Sequence, residues 1–125
     1  MMKIREIKDM LDAEVLCCEE LLDTEVYSAC CSDMMSDVLA YVKDQGVLLT
    51  GLINPQVIRT AEMLDIRCLI FVRGKTPSEM VLDQARELGI TVLTTKDSAF
   101  TSCGKLYAEG LRGVAIEWPE SEGAT

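Results

Sequence analysis

The chain has 125 residues, of which 49% are hydrophobic, enough for one domain with a sizeable core. Twelve Lys and Arg stand against 21 Asp and Glu, a formal charge of −9. That balance argues against a sequence-independent nucleic-acid binder, which needs a basic face, and against docking on an anionic membrane.

No apolar run reaches the length of a membrane span, and charge interrupts the first residues, Met1 to Glu6, where a signal peptide would be apolar. A cytoplasmic protein is expected. Residues Lys3 to Leu11 predict a short amphipathic helix with Ile4, Ile7 and Leu11 on one face. Ala13 to Cys18 reads as a first strand, Glu19 to Glu25 as a polar connection, and Val26 to Cys31 as a second strand. Ser32-Asp33 then caps a helix whose core face is Met34, Met35, Val38, Leu39 and Val42, with Gly46 at its end. Val47 to Thr50 is a buried third strand. After the turn Gly51 to Asn54, Asn54 as N-cap and Pro55 at the first helical position open a helix with Val57, Ile58, Ala61 and Leu64 inward.

Ile66 to Thr95 organises the rest. The apolar run Cys68 to Val72 and the β-branched run Thr91 to Thr94 enclose a helical pattern with Val81, Leu82, Ala85 and Leu88 on one side. Strand, helix and strand in about thirty residues make a βαβ unit, whose crossover is right-handed and whose strands are parallel. Thr76-Pro77-Ser78-Glu79 fits a capping box with Thr76 as N-cap, and Gly89 fits the left-handed position after the helix. Gly74-Lys75-Thr76 matches the tail of a phosphate-binding P-loop, but the glycine needed five residues earlier is Leu69. A strand end followed by a helix cap is the better reading, which leaves room for one anion on the helix N-terminus. Lys96-Asp97-Ser98 opens a last helix with Phe100, Cys103, Leu106 and Tyr107 on a common face, ended by Gly110 and Gly113. Val114, Ile116 and Trp118 alternate with Ala115 and Glu117, as in an edge strand or a partner contact, and residues 119–125 read as a frayed tail. The expected organisation is one domain over residues 1–112 and a C-terminal extension over 113–125.

Six cysteines are present and no histidine. Cys17-Cys18 and Cys30-Cys31 are adjacent pairs, Cys68 and Cys103 stand alone, and there is no C-x-x-C, so zinc spacings are absent. Buried free thiols in a reducing compartment are expected, with no metal and no cofactor. A redox or metal role formed between subunits is the other reading.

The alternation of elements gives a three-layer α/β/α domain with a largely parallel sheet. Ligands of such sheets sit outside the carboxyl ends of the strands. The residues expected there are Ser32 and Asp33, Thr50 and Asn54, Arg73, Lys75 and Thr76, then Thr94 and Thr95, with Lys96 beside them. Cations on one rim of an acidic protein suggest an anionic ligand. The competing reading makes all of them caps and solvated turns.

The run Leu48 to Glu62, with Val72 to Pro77 after it, resembles a DRTGG domain. Small stand-alone members of clostridial type are similar over four stretches: Ser32 to Ala40, Thr50 to Glu62, Val72 to Pro77 and Cys103 to Tyr107. The resemblance spans roughly residues 2–112. It departs at Leu52-Ile53, where the family often has Asp-Arg, and at Val72-Arg73-Gly74, where it often has Thr-Gly-Gly. It implies a fold like the N-terminal domain of HPr kinase/phosphorylase, with relatives in phosphotransacetylases and pyrophosphatases. It also implies a regulatory or assembly role without chemistry of its own.

Two functions follow as expectations. One is a non-catalytic regulatory module binding a small anionic or nucleotide-like ligand. The other is a homo-oligomerisation or partner-docking module, with a homodimer expected in either case. His-based acid/base and triad chemistry is excluded by composition.

Overall fold

A computed structural model describes residues 1–42 and 46–113. Strands β1 (Met2–Lys3) and β3 (Glu25–Val26) form a small antiparallel ribbon. The main sheet has the order β2-β7-β6-β5-β4, from β2 (Glu14–Cys17), β7 (Thr91–Thr94), β6 (Cys68–Phe71), β5 (Val47–Thr50) and β4 (Ala29–Cys31). The four strands β4 to β7 are mutually parallel, and β2 is antiparallel to β7 at one edge.

The central strands β5, β6 and β7 are buried along their whole length, as their continuous apolar runs require. Their side chains alternate between two cores. Leu48, Leu69, Phe71 and Val92 meet α2 (Met35–Tyr41), α3 (Pro55–Met63) and α4 (Glu79–Leu88). Val47, Leu49, Ile70 and Leu93 meet α1 (Ile4–Met10) and α5 (Ala99–Ala108), with the β1–β3 ribbon contributing Met2 and Val26. The molecule is therefore a three-layer α/β/α domain with a largely parallel sheet. Each fully buried Leu, Ile or Phe contributes about 1.5–3 kcal/mol, so the two cores supply the main stabilisation. Among the described residues, no helix is long and apolar enough to cross a membrane.

Several local readings are corrected. The run expected as one strand from Val26 to Cys31 is two strands in two sheets. Val26 pairs with Met2, whereas Ala29 to Cys31 pair with β5, and one straight strand could not serve both partners. Thr76 is not the N-cap of α4. Ser78 holds that place, its hydroxyl accepting from Val81 N–H at 3.4 Å, because buried Pro77 belongs to the approach and not to the helix. Ser32-Asp33 does not cap α2: the N-cap is Met34, with no side-chain cap, and the Asp33 carboxylate turns toward β5. Met34 and Leu39, expected on the core face of their helix, are exposed, as are Leu88, Phe100 and Tyr107, since the apolar stripe of each helix is narrower than its apolar content.

The caps at Asn54 with Pro55, at Ser98, and at left-handed Gly89 (φ 70°) form as the sequence predicts. Helix α5 ends at Ala108. The edge strand expected at Val114 to Trp118 lies outside the described residues.

Candidate functional site

Because β4, β5, β6 and β7 run parallel, their carboxyl ends share one rim. The strand ends and the turns that follow them carry all nine residues expected of a site. The structure divides these residues into two groups.

At the β4–β5–β6 side, Asp33 is the hub. Its Oδ1 accepts from Thr50 Oγ1 at 2.9 Å and from Gly51 N–H at 2.7 Å. Thr50 Oγ1 in turn accepts from Leu52 N–H at 3.1 Å. The Asp33 carboxyl is held below its ordinary range first by the Gly51 N–H, then by the Thr50 hydroxyl, with help from the positive charges of Arg73 and Lys75. Ser32, next to it, uses its hydroxyl locally, accepting from Met34 N–H at 3.0 Å.

Arg73 sits in the left-handed region at φ 60°, a conformation that costs a non-glycine residue about 1–2 kcal/mol. Its N–H donates to Asp97 O at 2.9 Å, and that bond to the β7–α5 turn holds the turn in place. The guanidinium folds back over Gly51. A Cβ on Gly51 would stand 2.6 Å from Arg73 Nη2 and 3.6 Å from Asp33 Oδ2, so glycine is required for this approach. Among the described residues, no carboxylate lies within ion-pair distance of Arg73 or Lys75. Both side chains are exposed.

At the β7 side the polar groups are consumed. Thr94 Oγ1 donates to Lys75 O at 2.7 Å. Thr95 is 2% exposed; its hydroxyl donates to Leu11 O at 2.8 Å and accepts from Asp97 N–H. These two threonines tie β7 to the Lys75 loop and to the end of α1. Asn54 spends its Oδ1 on the cap of α3, accepting from Gln56 N–H at 3.0 Å, and Thr76 is exposed beside Lys75.

The P-loop match fails structurally as well. Leu69 lies inside β6, and the N–H groups of Gly74 and Lys75 donate to Thr95 O and Val72 O instead of facing a phosphate. What the rim offers is cations, an ionised carboxylate and neutral donors. Asp33 keeps its charge at neutral pH, so it is a poor general acid.

Two features escaped sequence reasoning. One is Gly51, whose lack of a side chain admits Arg73. The other is a concavity of about 100 Å³ between β4 and α5, lined by Cys31, Leu49, Cys103 and Leu106 among others. Arg112 stacks over the Tyr107 ring beside it, 3.8 Å from the centroid.

The model of the DRTGG domain matches residues 6–108. The chain belongs to the DRTGG domain family. Its fold is similar to that in the crystal structure of the CBS and DRTGG domains of the regulatory region of Clostridium perfringens pyrophosphatase, complexed with the activator diadenosine tetraphosphate. The two chains share 22% identity with a TM-score of 0.66, over 83% of this chain and 45% of that one. The DRTGG chain described here thus spans under half of that regulatory region. No curated protein matches it.

Proposed function

We propose that this DRTGG domain is a non-catalytic regulatory module whose rim binds a small anionic or nucleotide-like ligand, in a reducing, cytoplasmic setting. One observation carries the reading: Arg73 is held in a costly backbone conformation, with its guanidinium over Gly51 beside Asp33 and no carboxylate partner among the described residues. Such strain persists only where the surroundings over-determine it, and it clusters at ligand clamps. Lys75 adds a second charge, and Ser32, Thr50, Asn54 and Thr76 offer neutral groups around it. Thr94 and Thr95 then act as the scaffold of the site. The nucleotide activator in the structural neighbour's complex supports a nucleotide polyphosphate as the first ligand to test.

Calorimetry with ATP, diadenosine tetraphosphate and inorganic phosphate tests the proposal. Saturable binding that Arg73→Ala weakens supports it. Binding unchanged in that variant places the ligand elsewhere. Phosphate release from magnesium ATP that disappears in Lys75→Ala would overturn the non-catalytic part.

A second reading rests on a different observation. Phe100 is 89% exposed and Tyr107 is 60% exposed, seven residues apart on one face of α5. An apolar face of that kind favours homodimerisation or partner docking. Light scattering after size exclusion should give twice the mass of one chain, and Phe100→Asp should return a monomer. A monomer in the wild type removes this reading.

A further inference from the structure

Beside the Asp33 end of the rim, two cysteines from different elements line one concavity. Strand β4 alternates about the sheet: Ala29 packs on the core that carries α1 and α5, and Cys30 packs on the opposite core. Cys31 therefore returns to the α5 side. Cys103, on α5, is half-buried against that same core. Both line the concavity of about 100 Å³ between β4 and α5, so one small space opens onto both residues. All the cysteines are free. Among the described residues no group of three or more His, Cys, Asp or Glu could hold a metal ion.

We propose that Cys31 and Cys103 form a dithiol site that a hydroperoxide oxidises to an intrachain disulfide joining β4 to α5. Burial, and then Cys103, push the Cys31 thiol up to about 12, which makes Cys31 a poor first nucleophile at neutral pH. In this proposal the first attack falls to Cys103. The Cys103 sulfur loses its proton and bonds to one peroxide oxygen. The O–O bond breaks, and the departing oxygen leaves with that proton as water or an alcohol. The Cys31 sulfur then displaces hydroxide from the sulfenic acid, and its proton completes a second water. Two thiols lose two electrons and one hydroperoxide gains them. Cys17 and Cys68 are buried in the sheet, and burial pushes both thiols up, so they stay out of this reaction. Cys103 is half-buried and lines the concavity, which is where the oxidant reaches it.

The test treats the full chain with hydrogen peroxide at neutral pH, quenches with catalase, alkylates the remaining thiols and reads the product by tandem mass spectrometry. The expected product is two hydrogens lighter, with Cys31 joined to Cys103 and Cys17, Cys18 and Cys68 alkylated only after unfolding. Cys30→Ser should still form the bridge. Cys31→Ser should lose it and instead accumulate a sulfenic acid on Cys103, trapped by a diketone probe. Cys103→Ser should lose both products. A bridge that uses Cys30, a bridge between two chains, or a chain left fully reduced under conditions that oxidise a small dithiol would each overturn the proposal.

Discussion

The two halves of the rim are both polar and have opposite fates. On the β7 side, Thr94 and Thr95 lie beneath the surface and every hydroxyl has a protein partner. On the β4–β5–β6 side, Asp33 gathers the hydrogen bonds, while Arg73 and Lys75 stand over it with no carboxylate partner among the described residues. The difference comes from what each half has to join. The β7 turn must hold the end of α1 and the Lys75 loop, so its hydroxyls become struts. The other half needs only the Asp33 bracket between β4 and β5, which leaves its cations in excess. A polar residue at a strand end is therefore no evidence for a ligand until its hydrogen bonds have been accounted for.

That contrast can be broken from either side. Arg73→Ala should weaken an anionic ligand by about 1.5–3 kcal/mol, the range for a hydrogen bond to a charged group. Calorimetry checks it, and the urea midpoint of the free protein should barely move, because the strained backbone remains. Thr95→Val should do the reverse. It strips the Leu11 carbonyl and the Asp97 N–H of a partner in a buried place, a loss of about 1–3 kcal/mol in urea unfolding, with ligand affinity unchanged. If Thr95→Val lowers affinity as much as stability, the halves are not separate.

A third substitution sharpens the comparison at smaller scale. Arg73→Gly removes the charge and also relieves the left-handed backbone, worth about 1 kcal/mol. The protein should melt higher than the Arg73→Ala variant while binding equally poorly. Equal melting temperatures would mean that the turn carries little strain.

The layers of this fold were legible because its strands are short apolar runs separated by helices whose caps follow simple chemistry. Asn54-Pro55, Ser98 and Gly89 work through backbone groups within a few residues, so local sequence suffices. The errors arose where a distant partner decided the outcome. The Val26 to Cys31 run looks continuous until Met2-Lys3 claims Val26. Asp33 looks like a cap until Thr50 and Gly51, seventeen and eighteen residues away, take its carboxylate. Thr76 looks like the cap of α4, but Ser78 holds that place and Pro77 is buried ahead of it. At the site, the residue types were readable but their division of labour was not, since it depends on hydrogen bonds that cross the sheet from one turn to the next.

The smallest expected effect concerns Asp33 itself, and it tests whether the bracket is electrostatic. The carboxyl has an ordinary value of 3.8, and in the folded chain it is lowered, chiefly by the Gly51 N–H and the Thr50 hydroxyl. A depressed folded value means that the folded state binds this proton less readily than the unfolded chain does. The contribution to stability is therefore complete above the ordinary value of 3.8 and is lost as pH falls through the lower folded value. The group is exposed, so solvent screening keeps the effect small. Asp33→Asn keeps an oxygen that can accept from Gly51 and Thr50 but cannot titrate. Urea midpoints of the wild type and Asp33→Asn, measured from neutral pH down through the acid range, should run parallel above the ordinary carboxylate range. They should converge below it, because only the wild type loses a charged acceptor there. A constant offset at every pH would make the bracket a matter of shape alone. In that case the charge on Asp33 would have a different purpose, which is to orient Arg73 for an anion.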